Sequence, residues 1–205
     1  MGMAGNEASL HESAEALIER LARRMDGLDL AATERNRLCT TCFRQVLEHH
    51  EAVVDLVRQT LFGSALALLR PLFEHYVRGI WLAKCASAAD LQRFQNGTLE
   101  RPVAAMLAAV EFHEMNDAGA LSEFRKDLSS TLTEFLRGGT ARVTRSDERN
   151  SIVGDHPGEE AGATVALAGA IGLLAASEVA LLAGRHDIVS ALADEAIWLR
   201  EAASA

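Results

Sequence analysis

Apolar side chains recur along most of this chain at intervals of three and four residues, which is the spacing that places them on one face of an α-helix. Glycines and an Asn-Gly pair separate the apolar segments and mark helix ends. The pattern predicts helices over residues 12–25, 33–60, 64–86, 88–94, 102–115, 121–136, 159–182 and 187–201.

Helices joined by mostly short connections predict an all-α fold, an antiparallel bundle of about six to eight helices. The length of 205 residues suits one domain, predicted over 1–205, with an N-terminal helix and its connection over 1–30. One connection, 140–158, is long. Long loops inside compact domains often carry function, so this segment is a candidate interaction site.

Composition supports the helical prediction and narrows the class of protein. Ala and Leu, the strongest helix formers, supply 36 and 28 residues. The chain carries 29 acidic and 20 basic residues, a formal net charge of −9, which disfavours a general nucleic-acid surface. Residues 137–158 nevertheless hold four Arg against three acidic residues, so one small anion-binding site remains compatible with the overall charge.

Three cysteines, an odd and sparse set, indicate a reducing compartment, and we expect a cytoplasmic protein without a secretory leader. Cys39 and Cys42 have the C-x-x-C spacing of redox and zinc sites. They lie inside a helical pattern without a second C-x-x-C, which favours ordinary semi-buried thiols.

The most apolar segment, 161–177, has no charged residue. It is shorter than the roughly 20 strongly apolar residues of a spanning helix, so we expect a buried core helix and no membrane association. Small residues recur along it at positions that would let neighbouring helices approach closely: Gly162, Ala166, Gly169, Ala170 and Gly172.

A charged ladder crosses the apolar segment 64–86, where Arg70, Glu74 and Arg78 recur every four residues. This spacing places the three side chains along one side of a helix, within ion-pairing reach. On a solvent-exposed side the ladder would be an ordinary surface network. On an enclosed side it would be a buried structural network or would line a polar pocket, because buried charges persist only when paired.

Pro71 follows the first arginine of the ladder and cannot donate a backbone hydrogen bond. We therefore expect the helix to kink or to begin near Arg70. Arg70 and His75 also match R-x4-H, the short motif of HEPN ribonucleases, which makes them catalytic candidates. In one continuous helix, however, these two side chains point ~140° apart.

The run Glu48-His49-His50-Glu51 contains metal-ligating residue types. Adjacent histidines face different sides of a helix, and no Glu has a His three residues later, as di-iron bundles require. The sequence thus predicts no metal site and no cofactor.

Residues Leu47–Ser87 resemble the signature block of an uncharacterised bacterial family of helical domains, grouped with HEPN-like and abortive-infection-like domains. The shared pattern runs from E-H-H-x-A through G-S-A-x-A-L-x-R-P-x-F-E to R-G-x-W-L-x-x-C-A. A later family motif, like L-H-S-x-x-H-G-G, is only half matched: Gly138 and Gly139 agree, while Thr133 and Arg137 replace histidines. The resemblance implies a HEPN-like bundle and brings no established activity with it.

The favoured function is binding of a ligand or partner in a polar pocket formed by Arg70, Glu74, Arg78 and Arg137, in a homodimer that associates through apolar helices. Whether the protein is an enzyme stays open.

Two alternatives accompany this prediction. One is a metal-independent HEPN-type ribonuclease of a phage-defence or toxin–antitoxin system, which would cleave RNA with Arg70 and His75. The RNA phosphates would then be held by Arg142, Arg145 and Arg149. The other is a regulatory protein whose loop 140–158 orders on the acidic groups of a protein partner.

Overall fold

The computed structural model describes the backbone of residues 3–113 and 158–204 and the side chains of residues 12–113 and 161–196. Within these ranges the protein has seven α-helices and no strand, which confirms the all-α prediction. The helices are α1 (Met3–Met25), α2 (Glu34–Arg58), α3 (Phe62–Lys84), α4 (Ala88–Gln95), α5 (Val103–His113), α6 (Gly158–Leu182) and α7 (His186–Ser204). The predicted helix 121–136 lies outside the described residues, as does the predicted loop 140–158 apart from Gly158.

The helix ends follow the local signals in the sequence. Gly27 and Gly184 both have φ of +68°, the left-handed conformation that glycine adopts without steric cost just after a helix. The hydroxyl of Thr33 accepts a hydrogen bond from the backbone N–H of Asn36 and caps the start of α2. The bounds of α2 to α5 lie within two residues of those predicted from periodicity.

Helices α2 and α3 form an antiparallel pair joined by residues 59–61. The guanidinium of Arg35, at the start of α2, donates to the carbonyl of Leu82 in the last turn of α3 and, at 2.7 Å, to that of Ala86 just after this helix. Further along, Phe43 packs so closely on Gly79 that a Cβ there would lie 2.6 Å from its ring. The packing of α2 on α3 therefore depends on Arg35, which satisfies carbonyl groups at the C-terminal end of α3, and on Gly79, which has no side chain.

Helix α3 runs without interruption from Phe62 to Lys84 and includes Pro71. Of the two expectations for Pro71, a helix start near Arg70 is therefore wrong, and a kink stays a prediction. Proline removes one backbone hydrogen bond, but Leu69 and Leu72 on either side of it are fully buried and hold this part of the helix in the core.

Helix α6 is the centre of the bundle and packs against α1, α2, α3 and α7. Its segment Ala161–Leu182 is long and apolar enough to cross a membrane by length and composition, yet 78% of its most apolar window is buried among the other helices. This burial is what a core helix requires. The small residues permit close packing as predicted, since Gly169 and Gly172 both lie against the side chain of His50.

Candidate functional site: the His50 cavity

The predicted ladder is present on α3. Arg70 Nε lies 3.1 Å from Glu74 Oε1, and Arg78 Nη2 lies 3.1 Å from Glu74 Oε2. Partial burial raises the pKa of Glu74, but the hydrogen bonds from the two guanidinium groups outweigh it and leave this pKa below its ordinary value. The side chain of Arg70 is 77% exposed, so this end of the ladder is a surface ion pair rather than an enclosed one.

The two residues of the R-x4-H motif have different neighbours. Arg70 is hydrogen bonded to Glu74, whereas His75 Nδ1 lies 2.8 Å from the carbonyl oxygen of Pro71. The ring of His75 stands edge-on to that of His49 on α2, with centroids 5.4 Å apart. Each candidate thus has its own structural contacts, and catalysis by Arg70 and His75 stays a prediction.

Several predicted functional residues lie outside the described residues. They are Arg137 of the predicted pocket and Arg142, Arg145 and Arg149 of the predicted loop. The regulatory role of loop 140–158 stays a prediction for the same reason.

The C-x-x-C thiols are core side chains. Cys39 and Cys42 are buried and free, and burial raises the pKa of each thiol to about 11. A thiol held in its protonated form is a poor nucleophile and a poor metal ligand. In the part of the chain that the structure describes, no group of three or more His, Cys, Asp or Glu side chains could hold a metal ion.

A cavity of about 400 Å³ lies where α1, α2, α6 and α7 meet. Helix α1 contributes Ala14, Leu17 and Arg20 to its wall, and their spacing of three residues places them on one face of the helix. The remaining walls come from His50 of α2, from Val165, Ala166 and Gly169 of α6, and from Glu195 of α7. The volume falls in the range of roughly 300–1,000 Å³ that is typical of small-molecule sites.

The cavity leads from the surface into the core. Glu12, Ser13 and Ala166 line its outer part and are exposed, whereas Leu17 and His50 line its inner part and are buried. Most of the wall is aliphatic, with a few polar groups at defined places, as in sites that bind amphipathic small molecules.

His50 is the most unusual polar residue of this wall. Its side chain is 1% exposed, and its Nε2 has no hydrogen-bond partner among the described residues. The ring lies over α6, where a Cβ on Gly172 would come within 2.7 Å of Nδ1. Burial lowers the pKa of His50 to about 4, so the imidazole is neutral near pH 7. A buried polar atom left without a partner is costly, which makes Nε2 a point at which a ligand group can be stabilised.

A small ion network closes the α7 side of the cavity. Arg20 Nε lies 3.2 Å from Glu195 Oε1, and Arg24 Nη2 lies 3.4 Å from the same oxygen. The second oxygen, Glu195 Oε2, is buried and finds no hydrogen-bond partner within the described part of the chain. The lining residues Glu195 and His50 therefore each have one buried polar atom without a hydrogen-bond partner among the described residues.

Comparison with protein families identifies the family of this chain. Residues 43–202 match a family described as "Family of unknown function (DUF6988)", and this range is well over half of the chain. The chain belongs to the DUF6988 family. The match begins within α2, so it includes His50, the α6 wall and Glu195, while the α1 wall of the cavity precedes it.

Membership of DUF6988 confirms the prediction of an uncharacterised helical domain family, since the block Leu47–Ser87 lies within the matched range. No curated protein and no solved structure matches the chain. Bacterial origin and the HEPN-like grouping stay predictions.

Sequence reasoning missed His50 as a candidate site residue, although a signal was present. The run Glu48–Glu51 contains metal-ligating residue types, which draw attention away from the position of His50 in the helix. His50 lies four residues after Val46 and three before Val53, both fully buried, and so occupies a gap in the apolar stripe of α2. A histidine on the core face of a helix, opposite a Gly-rich helix, was the pattern that could have pointed to this cavity.

Proposed function

We propose that this protein binds a small amphipathic molecule in the His50 cavity. The observation that carries the proposal is the neutral, buried imidazole of His50, whose Nε2 lacks a partner among the described residues while its side chain lines a largely aliphatic cavity of about 400 Å³. A bound polar group would satisfy the imidazole, and the apolar part of the same molecule would cover Leu17 and Val165.

This proposal keeps the predicted class of function, ligand binding, and assigns it to a different place. The exposure of Arg70 makes the ladder on α3 a weaker candidate than the cavity, because an exposed ion pair is already well solvated. Ligand binding at the ladder, homodimer formation and a cytoplasmic location stay predictions.

Ligand binding in the cavity can be tested with substitutions of two exposed residues on α6. Ala166 is exposed on α6 and lines the cavity, so Ala166→Trp would fill the outer part without entering the core. Ala163 is exposed on the same helix and is not a lining residue, which makes Ala163→Trp the matched control.

The probe is Nile red, an uncharged amphipathic dye whose emission rises in apolar surroundings. We expect saturable, stoichiometric binding by the wild-type protein and by Ala163→Trp, and loss of binding in Ala166→Trp. Equal binding by both variants would place the dye elsewhere. A lack of binding by the wild-type protein, both of the dye and of the aliphatic series described below, would refute the proposed function.

A further inference from the structure

Charged groups lie on the wall of the His50 cavity and directly beside it. Its lining includes two carboxylates, Glu12 and Glu195, and one guanidinium, that of Arg20. Arg24, which is not a lining residue, also pairs with Glu195, so these two carboxylates and two guanidinium groups balance in charge, and the imidazole of His50 is neutral.

The contacts of Glu195 favour a hydrogen-bond donor as the polar group of a ligand. Both nearby guanidinium groups, those of Arg20 and Arg24, lie against Oε1. Oε2 is buried and has no hydrogen-bond partner in the part of the chain that is described. An ionised carboxylate oxygen only accepts hydrogen bonds, so the group that completes this site must be a donor.

The neutral imidazole of His50 is also compatible with a ligand group that donates a hydrogen bond. In the tautomer that carries its proton on Nδ1, the Nε2 of His50 is an acceptor. An ammonium group has three donors and no acceptor, and its hydrogen bond to a carboxylate is charge-assisted. A carboxylate ligand, in contrast, would meet Glu195 Oε2 as a second acceptor of the same charge.

We infer that the cavity selects a primary aliphatic amine, whose ammonium group donates to Glu195 Oε2 and whose hydrocarbon chain covers Leu17 and Val165. This inference rests on the proposed function and adds the chemical class of the ligand. One observation favours the opposite charge: Arg24 Nη1 is also buried and without a partner among the described residues. Arg24 is not among the residues that line the cavity, so this donor does not face the ligand.

The test compares three molecules that share one chain length and differ only in their polar end: nonylamine, nonanol and nonanoate. Each is titrated calorimetrically into the wild-type protein below its aggregation threshold, at about pH 7.5, where the amine is charged. We expect nonylamine to bind at least about tenfold more tightly than nonanol, as a charge-assisted hydrogen bond predicts, and nonanoate to bind most weakly.

Glu195→Gln removes the charge and keeps the shape of the side chain. In this variant we expect the preference for nonylamine over nonanol to disappear, with little change in nonanol affinity. Ala166→Trp should abolish binding of all three molecules, and Ala163→Trp should leave it unchanged. If Glu195→Gln does not fold by circular dichroism, Glu12→Gln on the exposed rim tests the charge, with a smaller expected loss of amine preference.

The outcomes distinguish failure of the amine assignment from failure of ligand binding in the cavity. Equal or tighter binding of nonanol or nonanoate would overturn the amine assignment and leave ligand binding in the cavity intact. Amine binding that survives Ala166→Trp would show that the amine occupies another surface. If neither this series nor Nile red binds, the proposed function itself fails.

Discussion

The imidazole of His50 and the backbone of Gly172 lie so close together that a methyl group on Gly172 would come within 2.7 Å of Nδ1. Real Cβ atoms do not approach other atoms this closely, so the ring occupies space that exists only because residue 172 has no side chain. The position of the imidazole, and with it the inner wall of the cavity, is therefore set by a glycine on another helix.

Gly172→Ala should destabilise the protein. A helical Gly→Ala change alone would be favourable by up to about 1 kcal/mol, but overpacking a core costs about 1–3 kcal/mol. We expect the free energy of unfolding to fall by about 1 kcal/mol in urea titrations. Gly63→Ala is the matched control, because nothing lies within 4 Å of its added methyl group, and it should be neutral or stabilising. A stabilised Gly172→Ala protein would show that the ring moves aside without cost.

The contact also predicts a coupling between the two positions. Replacing His50 with Ala removes the ring, so Gly172→Ala should cost less in that background than in the wild type. Contacting residues show interaction free energies of about 0.5–3 kcal/mol in double-mutant cycles. Strict additivity of the two substitutions would contradict the contact.

The buried imidazole should make stability depend on pH. Burial lowers the pKa of His50 from 6.5 to about 4, so between these values the unfolded state binds a proton that the folded state does not. This difference in proton binding contributes up to about 3 kcal/mol to the free energy of unfolding. The contribution is fully present above pH 6.5 and is lost as pH falls towards 4. The stability difference between the wild type and His50→Gln should shrink between about pH 7.5 and about pH 4.5. A stability difference that stays constant with pH would mean that His50 has the same pKa in the folded and unfolded states.

The ladder on α3 should contribute little to stability at its exposed end. Since the side chain of Arg70 is 77% exposed, Arg70→Leu should change the free energy of unfolding by no more than about 0.5 kcal/mol. A thermal or urea melt of the variant measures this. A loss of about 1–3 kcal/mol would instead indicate that Arg70 neutralises a buried charge.

The C-x-x-C thiols should be unreactive in the folded protein. Because Cys39 and Cys42 are buried and the pKa of each is about 11, few thiolates form near pH 7.5 and reagents cannot reach them. Labelling with a chromogenic disulfide should modify both residues at the rate of unfolding, as mass spectrometry of the labelled peptides would show. Rapid modification of the native protein would contradict their burial.

The helices could be predicted from sequence because their signals are local. The apolar stripe of α2, the small residues of α6 and the glycines that follow α1 and α6 each specify a helix or its end without reference to the rest of the chain. Even the ion pairs of the ladder follow from a spacing of four residues on one helix.

The cavity could not be predicted in this way, because its parts are far apart in sequence. Arg20 and Glu195 pair across 175 residues, and His50 meets Gly172 only once α2 has packed on α6. Pro71 shows a related limit: the local rule predicted a kink or a helix start near Arg70, but α3 does not start there, and the leucines next to Pro71 are buried in the core. Periodicity states which face of a helix is buried and leaves open which other helix covers it.

The most direct test of ligand binding beside His50 is the nitrogen NMR spectrum of histidine-labelled protein during titration with nonylamine, with the His50 signals assigned by their loss in His50→Gln. We predict that the Nε2 signal of His50 shifts saturably as the amine binds, while the signals of His49 and His75, whose rings are in edge-on contact, keep their positions in the spectrum. An unchanged His50 signal at saturating amine, or equal shifts at His49 and His75, would contradict a ligand site in the His50 cavity.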